Sequence, residues 1–370
     1  MRKTAGQPAV IRWSYSVRMS PDVRTDLDAI PSYVPGATVP GAVKLASNET
    51  TAGPLPSVAA AIADAAAGVN RYPDITAGAL VSRLSEFLGI PSRNITAGCG
   101  SVALCQQLVQ AVCAPGDEVL YGWRSFEAYP IIARIAHAVP VPVPNRADGT
   151  LDLDAIADAV TGRTRLIFVC TPNNPTGPAV SHAELTAFLD RVPERVTVAL
   201  DEAYYEYVRS EDPVDGVAES MARPNVVALR TFSKAYGLAG LRVGYLTGPA
   251  DLITSVGKMV VPFSVSSLAQ AAGIACLDAG DELRARTDAV VAERTRVRDA
   301  LIDLGHAVPE SQANFVWLPL GDAAAEFDSH CRGHLVVTRC FAGHGVRVTI
   351  GDPVENDRLL DAARAFVTGT

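Results

Sequence analysis

Val196-Thr197-Val198-Ala199-Leu200-Asp201-Glu202-Ala203-Tyr204 is an apolar, β-branched run that stops abruptly at an acid. A strand buried on both faces of a parallel sheet reads this way. Open α/β sheets bind ligands at the carboxyl ends of their strands, so Asp201 is placed to point into a crevice. Asp201 equally suits a helix N-cap, an ordinary position for Asp after a strand. The pattern of an apolar run followed by a polar turn recurs on both sides. Upstream, 166–169 leads into Thr171-Pro172-Asn173-Asn174-Pro175-Thr176-Gly177, a turn stiffened by two prolines and a glycine. Downstream, 226–229 leads into Thr231-Phe232-Ser233-Lys234-Ala235-Tyr236-Gly237-Leu238-Ala239-Gly240-Leu241-Arg242.

Further strand candidates are 118–121, 139–143 and 243–246, with helical stretches between them, 103–111 included. Such alternation predicts an α/β fold with a mostly parallel sheet and helices on both faces. The charged stretch 281–304 has helical period, and 314–318, 335–338 and 346–350 read as strands of a second, smaller α+β domain. A chain of 370 residues suits two domains better than one. The expected division is a disordered leader at 1–18, an arm and part of the small domain at 19–55, a large domain at 56–260 and a small domain at 261–370. Both chain ends then feed the small domain, and Met19 is a candidate start.

The Lys234 segment has the layout for a pyridoxal phosphate Schiff base. A protonated lysine is a poor nucleophile, so a site that condenses it with an aldehyde must lower its pKa and hold the aldehyde still. Thr231, Ser233 and Arg242 can grip a phosphate, and the small residues between them let backbone approach a ligand closely. The alternative for this segment is a glycine-rich surface loop with an exposed lysine. Asp201 can pair with a protonated pyridine nitrogen and strengthen the ring as an electron sink. Tyr204 and Asn174 can both reach the ring phenolate oxygen, and Asn174 a substrate carboxylate as well.

With Lys44-Leu45-Ala46-Ser47-Asn48-Glu49, Asn70-Arg71-Tyr72-Pro73 and Gly345-Val346-Arg347-Val348-Thr349, these stretches form an ordered set over nearly the whole chain. The sequence resembles the fold-type I PLP-dependent aminotransferases of the histidinol-phosphate aminotransferase branch. Within that branch it is most similar to the bacterial aromatic amino acid (phenylalanine) aminotransferases. The resemblance implies that Lys234 carries the cofactor and shuttles a proton, with Asp201 on the pyridine and Tyr204 and Asn174 on the phenolate. It implies a phosphate grip of Thr231, Ser233 and Arg242 on one side and of Ser101 and Val102 on the other, at the N-terminus of the 103–111 helix. Relatives often carry an acid where this chain has Val102. Phe126 matches the ring stacked on the pyridine, and Tyr72 a tyrosine that reaches the neighbouring subunit's phosphate in a homodimer. Arg347 matches the substrate carboxylate clamp, a task suited to a planar fork of donors. Arg339 falls where relatives hold a substrate phosphate.

The implied reaction is ping-pong transamination of phenylalanine and tyrosine, with tryptophan as a further candidate, against 2-oxoglutarate. Tyr33, Phe126 and Phe263 are candidates for an apolar side-chain pocket. Histidinol-phosphate transamination is the first alternative, and a PLP-dependent decarboxylase the second.

Composition narrows the classes further. A net charge of −8 without a basic stripe argues against nucleic acid as a partner. No run approaches the roughly 20 apolar residues that span a bilayer. Seven cysteines with no Cys-x-x-Cys pair fit a reduced, cytoplasmic setting. Six scattered histidines, with only His330 and His334 at helical spacing, predict no metal site.

Overall fold

The computed structural model describes residues 23–30 and 39–369; the leader expected at 1–18 lies outside them. Residues 23–30 hold a 3₁₀ turn, Thr25–Ala29. From residue 39 the chain runs through a short strand, β1 (Val43–Lys44), into the largest sheet among the described residues. Its seven strands are β2 (Ile95–Gly98), β3 (Glu118–Trp123), β4 (Val139–Pro144), β5 (Thr164–Cys170), β6 (Thr197–Asp201), β7 (Val226–Thr231) and β8 (Gly244–Thr247). They lie in the order β2-β8-β7-β6-β5-β3-β4. β8 is antiparallel to both its neighbours, and the other pairs are parallel.

Alternate residues explain why the strand sequences are apolar without alternation. Leu166 and Phe168 of β5 share a core with Leu104 and Leu108 of the helix Gly100–Val112. Ile167 and Val169 turn to the other face and pack with Leu185 and Phe188 of the helix His182–Leu189. With both faces covered, the strand is apolar from Leu166 to Cys170 without alternation. Fully burying one such side chain stabilises the fold by about 1.5–3 kcal/mol.

The C-terminal part carries β9 (Phe315–Leu318), β10 (Val336–Val337), β11 (Arg339–Phe341) and β12 (Gly345–Thr349). β11, β12 and β9 form an antiparallel sheet in that order, while β10 pairs in parallel with β1. Val43 and Leu45 therefore share a core with Val316, Val346 and Leu359. The strand expected at 335–338 is the shorter β10, and β11 follows it as a further strand one residue on. Thr338, between them, turns its hydroxyl to the Asp328 carboxylate at 2.6 Å.

The helix Ser267–Asp278 packs with Pro56–Ala66 and Gly78–Leu88, its Ala269, Ala272 and Cys276 joining Val58, Leu80 and Leu84. The 24-residue helix Gly280–Asp303 then bridges two cores, with Leu283 in this one and Val297 and Leu301 in the C-terminal one. On this packing we propose that the boundary between large and small domains falls inside that helix rather than near residue 260.

Candidate active site

β5, β6 and β7 end at Cys170, Asp201 and Thr231, and Cys170 and Asp201 are ladder partners. The proline turn, the acid and the lysine segment follow adjacent strands and therefore meet at one edge of the sheet. They line a cavity of about 320 Å³.

Asp201 is only 4% exposed. Its Oδ2 accepts the Tyr129 hydroxyl at 2.7 Å, and its Oδ1 has no hydrogen-bond partner. The capping alternative for Asp201 does not hold. The next helical turn, Tyr205–Tyr207, has Tyr204 at its N-cap. Burial raises the Asp201 pKa, against the opposing effects of the Tyr129 hydroxyl and of the Ala203 backbone N–H. An unsatisfied buried acceptor costs about 1–3 kcal/mol. Since Asp201 lines the cavity, a ligand with a protonated ring nitrogen would remove that cost.

Lys234 is enclosed rather than displayed on a surface loop, and its Nζ donates to the Ser47 carbonyl at 3.2 Å. Burial, helped by the Arg347 and Arg242 guanidiniums and opposed by Glu49, brings its pKa down to about 8. A neutral amine is thus available near neutral pH, as a nucleophile or proton carrier requires.

Beside it the hydroxyl groups and guanidinium form a connected cradle. The Thr231 hydroxyl donates to Ser233 Oγ at 3.0 Å, and Arg242 Nη1 donates to the same oxygen at 3.3 Å. Gly100 stands against this cradle with φ +78°, and a Cβ there would collide with the Arg242 guanidinium. The next two residues, Ser101 and Val102, line the cavity in the first turn of the helix Gly100–Val112. Backbone N–H groups at such a terminus favour an anion.

The opposite wall comes from β11 and β12. Buried Arg347 donates from Nη1 to Asn174 Oδ1 and from Nη2 to the Ala46 carbonyl, each at 2.6 Å. Across the ladder it faces Arg339, whose Nη2 donates to Glu127 Oε2 at 2.8 Å. Phe126 also lines the cavity, edge-on to Tyr129 with centroids 5.6 Å apart.

A model of the aminotransferase class I and II family matches residues 40–362. The chain belongs to that family. This aminotransferase is 59% identical over 352 residues to the aromatic amino acid aminotransferase of Rhodococcus opacus (strain B4), covering 95% of this chain and 97% of that one. It is 57% identical over 344 residues to the aromatic amino acid aminotransferase of Mycobacteroides abscessus, covering 93% and 99%. Among solved structures it is similar to histidinol-phosphate aminotransferase from Sinorhizobium meliloti in complex with pyridoxal-5'-phosphate. The TM-score is 0.85 at 27% identity, with 96% of this chain and 99% of that chain covered.

Two of the aminotransferase's sequence candidates, Tyr72 and Phe263, stand apart from the cavity, and a third, Tyr33, lies outside the described residues. Tyr72 is 83% exposed and stacks on Phe263 at 4.6 Å, so neither ring enters its own chain's cavity. Phe263 sits in a turn with φ 61° and remains on the surface, whereas Phe341 of β11 supplies an aromatic wall instead.

Other contributors carried no assigned role in the sequence reading. Tyr129 fixes Asp201 and stacks on Phe168 at 4.3 Å. Asn48 donates to the Tyr204 hydroxyl at 2.9 Å and accepts the Thr349 hydroxyl on Oδ1 at 3.0 Å, tying the arm to β12. A positive φ of 54° at Asn48 suits a residue type that tolerates the left-handed region. Its place in Lys44-Leu45-Ala46-Ser47-Asn48-Glu49 marked it as a member of a motif but gave no partner.

Proposed function

We propose that this aminotransferase binds pyridoxal 5'-phosphate and moves the amino group of phenylalanine or tyrosine, with tryptophan as a further substrate, to 2-oxoglutarate. The observation that carries the reading is the opposed pair inside one cavity, the unpartnered Oδ1 of Asp201 and the amine of Lys234 with its lowered pKa. Asp201 would hold the protonated ring nitrogen, and Tyr204 and Asn174 the phenolate oxygen. Thr231, Ser233, Arg242 and the N–H groups at Ser101 and Val102 would hold the phosphate, with Phe126 against the ring. When bound, the cofactor supplies the electron sink for proton removal next to the amino group. Lys234 takes that proton and returns it, Arg347 orients the substrate carboxylate, and the enclosing walls limit water. Two half-reactions on one site give a ping-pong order, releasing an aromatic 2-oxo acid and then glutamate.

Support for aromatic donors is the identity of 54% or more to eight relatives named aromatic amino acid aminotransferase. The test assays purified protein with phenylalanine, tyrosine and histidinol phosphate, each with 2-oxoglutarate. Phenylalanine and tyrosine should be preferred; a preference for histidinol phosphate would replace the aromatic reading, and release of carbon dioxide would replace transamination.

The unit of function under this proposal is a homodimer in which Tyr72 serves the neighbour's phosphate site. The exposed Tyr72–Phe263 stack supports it. Mixing a Lys234→Ala subunit with a Tyr72→Ala subunit puts both lesions in one site and leaves the other whole, so activity should return in part. No recovery in verified heterodimers would reject the shared site. A reducing, cytoplasmic setting fits the seven free cysteines, and no helix among the described residues is long and apolar enough to cross a membrane.

A further inference from the structure

Asn48 stands where the arm, β12 and the segment after β6 meet, and its side-chain hydrogen bonds have a fixed direction. Its backbone N–H donates to Thr349 Oγ at 2.9 Å. The Thr349 hydroxyl, with that lone pair taken, donates its own proton to Asn48 Oδ1 at 3.0 Å. The amide is thereby set with Nδ2 toward Tyr204, whose hydroxyl oxygen accepts at 2.9 Å. Turning the amide over would aim two N–H groups at Thr349 Oγ and leave the threonine proton without its acceptor. Asn48, Thr349 and Tyr204 are all buried, where an unpaired donor is costly. The Asn48 carbonyl accepts Asn314 Nδ2 at 3.2 Å, and the Phe315 ring meets Tyr204 edge-on with centroids 5.2 Å apart. Amide and phenol are therefore both held in place.

A tyrosine hydroxyl has one proton to donate and two lone pairs to offer. Among the described residues the Tyr204 hydroxyl accepts from Asn48 and donates to no other group. Burial holds it above the ordinary tyrosine pKa, with the Arg347 charge and the Asn48 N–H opposing the rise, so the proton stays on the oxygen at neutral pH. Tyr204 and Asn48 both line the cavity. We propose that Asn48 is a positioning residue: by donating to the Tyr204 oxygen it keeps the phenol proton turned to the cavity, for an acceptor such as a phenolate oxygen. Thr349 sets the direction, and the series of donors ends on the ligand. A donor oriented in advance needs no reorganisation when the ligand arrives. The residue type follows, because a carboxylate here would offer only acceptors and would take the Tyr204 proton for itself. The inference rests on the proposed cofactor reading and deepens it by naming what orients Tyr204.

The test is the pH titration of bound-cofactor absorbance in wild type, Tyr204→Phe, Asn48→Asp and Asn48→Ala, with the cofactor dissociation constant measured alongside. A proton donated to the phenolate oxygen stands in for one taken up beside it, so losing the donor should raise the apparent pKa. The rise should be about one pH unit, the worth of an ordinary hydrogen bond. Tyr204→Phe sets that scale. Asn48→Asp keeps the size, the left-handed backbone and the Thr349 contacts but reverses the bond to Tyr204, so it should shift the titration as far as Tyr204→Phe does. Asn48→Ala leaves the tyrosine proton free and should shift it less. A residue needed only for packing gives the opposite order, with Ala worse than Asp, and that order overturns the proposal. In the Tyr204→Phe background Asn48→Asp should add little. An increment there as large as in the wild type would mean that the new charge acts by itself, and overturns the proposal too. Should Asn48→Asp fail to fold, Thr349→Val and Thr349→Ser replace it. The first frees the amide to turn and should raise the apparent pKa, the second keeps the hydroxyl and should not, and equal values overturn the assigned direction. No shift in Tyr204→Phe itself rejects the phenolate contact, and the inference with it, while the Lys234 and Asp201 assignments keep their own tests.

Discussion

The two walls of the cavity are built in different ways. One consists of the ends of β5, β6 and β7, where Asp201 and Thr231 close their strands and Asn174, Tyr204, Ser233 and Lys234 follow within four residues. The other gathers Ala46, Ser47 and Asn48 from the arm, Arg339 and Phe341 from β11, and Arg347 from β12, joined by hydrogen bonds across 301 positions of chain between Ala46 and Arg347. The first wall is rigid because a fully buried parallel sheet fixes it; the second depends on β1 docking beside β10 and on the Asn48 bridge between Tyr204 and Thr349. Electrostatics follow the same division. The sheet wall holds the unpartnered carboxylate oxygen, and the other holds two cross-strand guanidiniums. Under the proposed function the sheet wall would meet the cofactor and the other wall the substrate.

Lys234→Ala should produce the largest effect, since it removes both nucleophile and proton carrier from the sheet wall. Turnover should fall by about 10²- to 10⁴-fold, the usual worth of a positioned acid–base group, with cofactor still retained through its phosphate. Borohydride reduction of the wild type should fix cofactor to the peptide containing Lys234; label on another lysine would break the assignment. The pKa of about 8 adds a pH test on protein freed of cofactor. Only the neutral amine reacts with the aldehyde, so the rate of cofactor uptake should rise about tenfold per pH unit up to about pH 8 and level off above it. An exposed lysine would keep rising to about pH 10.4.

Asp201→Asn keeps shape and removes the charge that balances a protonated ring nitrogen. A loss of about 10²- to 10³-fold in kcat is expected, the scale of a preorganised electrostatic contact. Cofactor absorbance titrated against pH should shift as well. Unchanged turnover and an unchanged titration would show that the sheet wall does not act through this carboxylate.

Arg347→Lys probes the other wall and should be milder. A point charge loses the second donor of the fork, so kcat/KM for both amino and oxo acids should fall roughly 10- to 100-fold, chiefly through KM, as expected for a charged hydrogen bond worth about 1.5–3 kcal/mol. A fall in kcat alone would sharpen the comparison differently, by making Arg347 a part of the chemical step.

Legibility in the sequence divides along the same line. The strand Thr197–Asp201, the proline turn and the Lys234 segment could be read directly, because burial on both faces forces an apolar run and the polar residue that ends it is conspicuous. β2 was missed because Ile95-Thr96-Ala97-Gly98 carries one large apolar residue and owes its strand form to the β8 ladder. Tyr129 lies in the first turn of an apolar helix, Ala128–Ile135, and local pattern makes it a core aromatic; its contact with Asp201 spans 72 positions. Phe263 shows the converse error, since an apolar ring in sequence does not say whether it faces a cavity or the surface.

The amino-acid sequence by itself determined the parallel-sheet core, the crevice at its strand ends, and the identity of the acid and lysine there. All of these follow from short-range patterns: period, turn chemistry and the charge placed just past a buried run. Only the tertiary structure decided that Asp201 keeps one oxygen unpartnered, that Asn48 ties the arm to Tyr204 and β12, and that Glu127 meets Arg339 across 212 positions of chain. A hydrogen bond or an ion pair depends on distances of about 3 Å between atoms. Residues far apart in the chain reach such distances only when the packed cores bring their elements together.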